Sequence, residues 1–145
     1  MKEGKKVVFC NMVADMFHYG HMRFIEKVRA KFDEPIYIVV GLTSDEDCAS
    51  YKRVPVMTFE ERVMTVRASK LADEVMSIPA PLVETLQFLD EHEFDFTAHG
   101  DDFDVEKMRK YYGQIINADR LMITPYEKSN NISTSELIRR IKLRE

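Results

Sequence analysis

Two histidines three positions apart, His18 and His21, bracket a glycine in the stretch Asp15-Met16-Phe17-His18-Tyr19-Gly20-His21. An apolar run, Lys6 to Cys10, precedes them, and Met22, Phe24, Ile25 and Val28 follow at helical spacing. The pattern puts an HxGH motif on a strand-to-helix turn. Open backbone N–H groups and the helix dipole favour an anion there. Gly20 lets the backbone approach a phosphate closely, and two imidazole N–H groups can donate to phosphate oxygens as charge builds in a transition state. A pair of capping histidines or of metal ligands would show the same spacing. Two of the chain's four histidines on one such turn favour phosphate chemistry.

Two further segments could serve the same anion. Tyr51-Lys52-Arg53 follows a second apolar run and places adjacent cations in a loop, although taken alone it reads equally as a solvated charge pair. Lys128 to Ser135 (KSNNISTS) precedes a final amphipathic stretch, and Ser133 with Glu136 has the spacing of a capping box. Hydroxyls and open N–H groups at that helix start suit an anion, as does a plain N-cap.

The elements that must position these groups alternate along the chain. Strands are expected at Lys6–Cys10, Ile36–Leu42, Glu74–Ile78, Phe94–His99 and Arg120–Pro125. Helices are expected at Gly20–Phe32, within Thr43–Lys52, from a Thr58 cap with Glu61 to Leu71, and at Pro81–Glu91, Asp104–Tyr112 and Thr134–Leu143. Such alternation makes an α/β fold, a Rossmann-like, doubly wound parallel sheet of about five strands in one domain, with ligands outside the carboxyl ends of the strands. The informative loops are those after Cys10, Leu42, His99 and Pro125.

Composition bounds the partners. The 145 residues carry 21 basic and 25 acidic side chains, a net charge of −4 that argues against a nucleic-acid partner. Cys10 and Cys48 are the only cysteines, too few for a metal knuckle or disulfide framework, and read as reduced thiols of a cytoplasmic protein. No signal peptide or membrane span is expected.

On these motifs the chain resembles the cytidylyltransferases that act on phosphoethanolamine, phosphocholine and glycerol 3-phosphate. His18 to His21 match that family's HxGH, and Lys128 to Ser135 match in part its closing R-T/S-x-G-[IV]-S-T-[ST] segment. Lys52, Val56 to Arg62 (VMTFEER), Ala72 to Val75 (ADEV) and His99-Gly100-Asp101-Asp102 look like its conserved middle. The likeness runs from about Val7 to Ile141. There are three departures. Met12-Val13-Ala14-Asp15 stands where the family has Gly-x-Phe-Asp, Lys128 stands for its closing Arg, and Asn131 stands for its closing Gly.

The resemblance implies an HxGH nucleotidyltransferase. It would transfer CMP from CTP to a phosphorylated small alcohol, with release of pyrophosphate and no covalent intermediate, in phospholipid or phosphonate metabolism. It implies His18, His21 and Lys52 as catalytic groups. Lys52, Tyr51 and Arg62 would hold the acceptor. Val13, Ala14, Asp15, Gly20, Asp101, Asp102, Lys128, Ser129, Ile132, Ser133 and Thr134 would form the nucleotide pocket. No protein-held metal is expected; Mg²⁺ would arrive bound with CTP. The chain has no Trp, and Leu82 stands where choline-using relatives tend to have an aromatic. The expected acceptor is therefore of the phosphoethanolamine or aminoethylphosphonate type, with glycerol 3-phosphate next. The rivals are an adenylyltransferase such as a flavin-nucleotide synthetase, and a non-catalytic nucleotide-binding module. A homodimer is expected.

Overall fold

The computed structural model describes residues 2–101, 104–125 and 132–144. Five strands, β1 (Val7–Met12), β2 (Tyr37–Leu42), β3 (Glu74–Val75), β4 (Phe96–His99) and β5 (Leu121–Ile123), form one sheet in the order β3-β2-β1-β4-β5. Every pairing is parallel, with Cys10 opposite Val40 on one side and Ala98 on the other. The strand order reverses between β1 and β4, so a crevice opens at their carboxyl ends, where ligands of open α/β sheets bind.

Alternation along β1 sends Val8 and Cys10 into one core layer and Val7 and Phe9 into the other. The first layer receives Phe24, Ile25 and Val28 of α1 (Tyr19–Ala30) and Val63 and Val66 of α3 (Phe59–Ser69). The second receives Leu89 of α4 (Leu86–Glu91) and Tyr112 and Ile115 of α5 (Val105–Asn117). There Phe9 stacks on Phe94 with ring centroids 4.9 Å apart. A Cβ on Gly41 would meet the Phe9 ring at 2.5 Å, so glycine is what lets that ring lie across β2. The short α2 (Asp45–Tyr51) and the closing α6 (Thr134–Lys142) complete the set.

Several expected boundaries shift for local reasons. β1 runs on to Met12, which brings Asn11 onto the sheet. β3 is only two residues long. Beyond it the chain still follows β2, with Met76 N–H donating to Val40 O and Ala80 N–H to Leu42 O, but Pro79 and Pro81 cannot donate to a ladder. The helix expected from Pro81 starts only at Leu86, because Thr85 caps it by accepting from Phe88 N–H. Residues 81–85 are therefore irregular, and Glu84 is folded inward rather than displayed on a helix. α5 continues to Asn117, beyond the expected Tyr112, because Ile115 keeps the helix anchored in the core.

The Thr58–Glu61 capping box forms in full. At α6 only half of the expected box forms. Ser133 Oγ accepts from Glu136 N–H, but the Glu136 carboxylate turns to Arg139 and Arg140 instead.

Candidate active site

The histidines build their own helix cap. His18 is the N-cap of α1, its Nδ1 accepting from Gly20 N–H at 3.0 Å, and His21 Nδ1 accepts from His18 N–H at 3.1 Å. This is a capping box made of two imidazoles. A backbone N–H can only donate, so each Nδ1 is unprotonated and each neutral ring carries its proton on Nε2. Burial holds both rings neutral. It lowers His18, and it lowers His21 to about 3, with repulsion that a protonated His18 would exert and the charge of Lys52 adding to the effect. The rings stack with centroids 3.9 Å apart, and Phe17 stacks on the outer face of His21. The result is two stacked imidazoles whose remaining N–H is on Nε2. His18 Nε2 lies 3.3 Å from Thr134 Oγ1, which donates on to Asp15 O at 3.1 Å. That relay ties the first loop to the start of α6.

Gly20 has an ordinary backbone, so its requirement is steric. A Cβ there would lie 2.9 Å from His18 Cε1 and 3.4 Å from Ile132 O. The loop before the motif is strained. Ala14 (φ 56°) and Met16 (φ 50°) are both left-handed, a conformation costing of order 1 kcal/mol or more for each non-glycine residue. Asp15 between them pins the strain, its carboxylate accepting from Val56 N–H at 2.8 Å and Met57 N–H at 2.9 Å. Arg62, wholly buried, braces the other side. Its guanidinium donates to Val13 O, Thr43 O and Met57 O, and pairs with Asp45 at 2.6 Å.

These contacts revise two expected roles. Arg62 is not placed to grip an acceptor phosphate, because its donors are spent on three loop carbonyls and a carboxylate. Asp15 borders the crevice, but its carboxylate is a backbone clamp.

The crevice encloses about 130 Å³. One wall is formed by Val13, Ala14, His21, Tyr51, Lys52 and Thr134. Lys52 caps α2 and is near enough to His21 to lower its proton affinity. Arg53 donates to Ser135 Oγ at 3.1 Å, linking the α2 loop to α6. Ser133 spends its hydroxyl on the α6 cap, and Asp101 is exposed at the rim beyond β4. Asp102, Lys128 and Ser129 lie outside the described residues.

Of the opposite wall, only Leu82 and His99 were singled out in the sequence. It consists of Asn11, Pro81, Leu82, His99, Tyr111 and Tyr112. Behind it lies Glu84, 2% exposed, whose Oε2 accepts from Asn11 Nδ2 at 3.2 Å. Burial raises the Glu84 carboxyl to about 7, while Thr97, Asn11 and Tyr112 pull it part of the way back. Glu84 was hidden in a stretch read as helix. The usable signal was an acidic residue between two prolines and a capping threonine.

Residues 11–140 match the family model described as cytidylyltransferase-like. The chain is 38% identical over 137 residues to the ethanolamine-phosphate cytidylyltransferase of Mus musculus, covering 94% of this chain and 32% of the relative. It is 36% identical to the probable choline-phosphate cytidylyltransferase of Schizosaccharomyces pombe, covering 96% and 38%. The chain thus spans about a third of the length of these relatives. Among solved structures, the lipopolysaccharide core biosynthesis protein from Thermoplasma volcanium shares the fold with a TM-score of 0.65 at 20% identity, over 86% of this chain and 98% of that one. Pantoate-beta-alanine ligase from Francisella tularensis follows with a TM-score of 0.54 at 11% identity, over 99% and 71%.

Proposed function

We propose, from the premise that the chain belongs to the cytidylyltransferase-like family, that it transfers CMP from CTP to a phosphorylated small alcohol and releases pyrophosphate. The observation that carries this reading is the stacked pair of neutral imidazoles, each locked through Nδ1 so that Nε2–H is its remaining donor position. An acceptor phosphate oxygen attacks the α-phosphorus, a new P–O bond forms, and the bond to the bridging oxygen of pyrophosphate breaks. Negative charge shifts toward the leaving group, and the reaction needs positioned donors rather than a nucleophile from the protein. His21 and His18 supply those donors, with Thr134 exchanging its contact to His18 for one to the triphosphate. Lys52, on the same wall, bridges the α-phosphate and the incoming phosphate.

Mg²⁺ belongs to this reading as an ion carried on the triphosphate. Among the described residues no group of three or more His, Cys, Asp or Glu gathers that could hold it. Among the same residues no helix is long and apolar enough to cross a membrane. The unbridged, buried thiols of Cys10 and Cys48 support a reducing, cytoplasmic setting. The exposed Val54, Val56 and Met64 support a homodimer, which analytical ultracentrifugation tests.

The reading is tested by pyrophosphate release over a grid of four nucleoside triphosphates and a panel of phosphorylated alcohols. CTP with one acceptor should exceed all other pairs. Turnover with ATP alone would favour the adenylyltransferase, and binding without turnover would favour a nucleotide-binding module.

A further inference from the structure

We infer that Phe17 is a positioning residue of this site: its ring closes the outer face of His21, so that the imidazole can neither tilt away from His18 nor take up water on that side. The inference rests on the proposed transfer, in which His21 donates to the triphosphate.

Geometry carries it. The rings form a three-layer stack, Phe17 on His21 on His18. Phe17 and His21 have centroids 5.6 Å apart and planes within 5° of parallel, and His21 and His18 have centroids 3.9 Å apart at 30°. The first pair has the spacing of an offset stack. Among the described residues His21 is tethered by one hydrogen bond, from His18 N–H to its Nδ1 at 3.1 Å. A ring with one such tether still swings about its Cβ–Cγ bond. His18 blocks the swing on one side and Phe17 on the other. The same tether is half of the α1 capping box, so a swinging His21 loosens His18 as well.

The chain is shaped to put Phe17 there. Met16, just before it, is left-handed at φ 50°, and Asp15 is pinned by Val56 and Met57 N–H. Non-glycine residues persist in that conformation where the surroundings over-determine it. Phe17 is half-buried and packs against the core layer that holds Phe24, Ile25 and Val28 of α1. His21 lines the crevice, whereas Phe17 is not among the lining residues and acts through His21. The charged or titratable groups that act on His21 are His18 on its own turn and Lys52 at the end of α2, while Thr134 of α6 is neutral. Burial is the first cause of the lowered His21 proton affinity, and the Phe17 ring covers one of its faces. An apolar residue just before a helix cap can also act as a hydrophobic staple against the fourth helical residue, here Met22. That role moves stability alone.

Three variants separate the roles. Phe17→Leu keeps an apolar side chain and removes the flat face, Phe17→Ala also admits water, and Phe17→Tyr keeps the ring. With CTP and phosphoethanolamine, kcat should fall about tenfold in Phe17→Leu and further in Phe17→Ala, with both KM values little changed. Phe17→Tyr should recover most of the loss. The ratio of Phe17→Ala to wild-type kcat should drop further between pH 8 and pH 6, as a hydrated His21 takes up a proton, and the ratio cancels the titration of the acceptor phosphate. A lower urea midpoint with kcat unchanged overturns the inference, as do equal losses in Phe17→Leu and Phe17→Tyr. A second measurement needs no turnover. With 15N-labelled histidine, the NMR titration of His21 should show a neutral ring down to pH 5 in the wild type, and a midpoint raised toward the ordinary 6.5 in Phe17→Ala. An unmoved midpoint overturns the inference. Absence of turnover in the wild type with every substrate pair refutes the transfer reaction, and the titration alone then decides whether Phe17 seals His21.

Discussion

The two walls of the crevice differ in how their polar groups are satisfied. On the histidine side nearly every group is committed to another part of the protein: both Nδ1 atoms to backbone N–H, Thr134 to Asp15 O, Asp15 to Val56 and Met57, and Arg62 to three carbonyls. On the other side, Glu84 Oε1 and Thr97 Oγ1 are buried and complete no hydrogen bond of good geometry among the described residues, although Thr97, Asn11 and Tyr112 still pull on the Glu84 carboxyl. The first wall is preorganised, so donors aimed at a developing charge need little rearrangement during the reaction. The second wall is backed by a buried carboxyl, raised to about 7 by that burial. On the proposed reading, catalysis falls to the first wall and acceptor recognition to the second.

The largest expected effect lies on the preorganised side. His18→Ala and His21→Ala should each lower kcat about a hundredfold or more, the usual cost of one transition-state donor. Acceptor KM should change little, and circular dichroism should report a folded chain. A kcat within a few-fold of wild type in either variant would remove the proposed division of labour. Next comes Arg62→Met, which keeps the volume but strands Val13 O, Thr43 O and Met57 O. It should cost about 2–3 kcal/mol of stability in urea titration, because each buried carbonyl left without a donor is costly. If Arg62 gripped phosphate instead, the change would raise acceptor KM and leave the urea midpoint in place.

The preorganised wall was largely legible in the sequence, because its parts are local. HxGH, the Thr58 box and the Ser133 cap each obey spacing rules within four residues, and α/β alternation puts them on one edge of the sheet. The reciprocal imidazole cap was not read, since histidine is an uncommon capping residue. The bracing contacts of Arg62 were not read, because a cation in a family-like motif suggests an anion, whereas its burial depends on loops 19 and 49 residues away in sequence. The second wall was legible only at Leu82 and His99, and the rest of it was hidden for the same reason. Asn11 and Glu84 are 73 residues apart and meet only because residues 81–85 fail to form a helix. Periodicity cannot reveal a side chain that an irregular segment turns inward.

A smaller effect should separate geometry from chemistry on the first wall. Gly20→Ala keeps both histidines but forces a methyl to within 2.9 Å of the His18 ring. The ring must tilt away from Gly20 N–H, and kcat should fall about tenfold, or roughly 1.4 kcal/mol. Stability should hold or rise slightly, since alanine favours a helix more than glycine does. Full activity in this variant would show that the His18 orientation is not what matters.

The smallest effect tests both walls at once, through the pH dependence of folding. Burial raises Glu84 from 4.5 to about 7, so the folded state binds the extra proton between those values. Its contribution is fully present below pH 4.5 and is lost as pH rises through 7. Burial lowers His21 from 6.5 to about 3, so there the unfolded state binds the extra proton. Its contribution is fully present above pH 6.5 and is lost as pH falls through 3. Between pH 4.5 and 6.5 the two slopes have opposite signs, each at most about 1.4 kcal/mol per pH unit, and they offset one another. Urea titrations at pH 6.5, 5.5 and 4.5 should therefore show a shallow dependence in the wild type. Glu84→Gln removes the group that gains on acidification, so that variant should lose about 1 kcal/mol more per pH unit than the wild type. His21→Asn, which keeps an acceptor for His18 N–H, should tilt the other way and grow more stable relative to wild type as pH falls. Parallel curves for the wild type and Glu84→Gln would mean that Glu84 is not held proton-hungry by its burial. The second wall would then be as fully satisfied as the first, and the contrast between them would collapse.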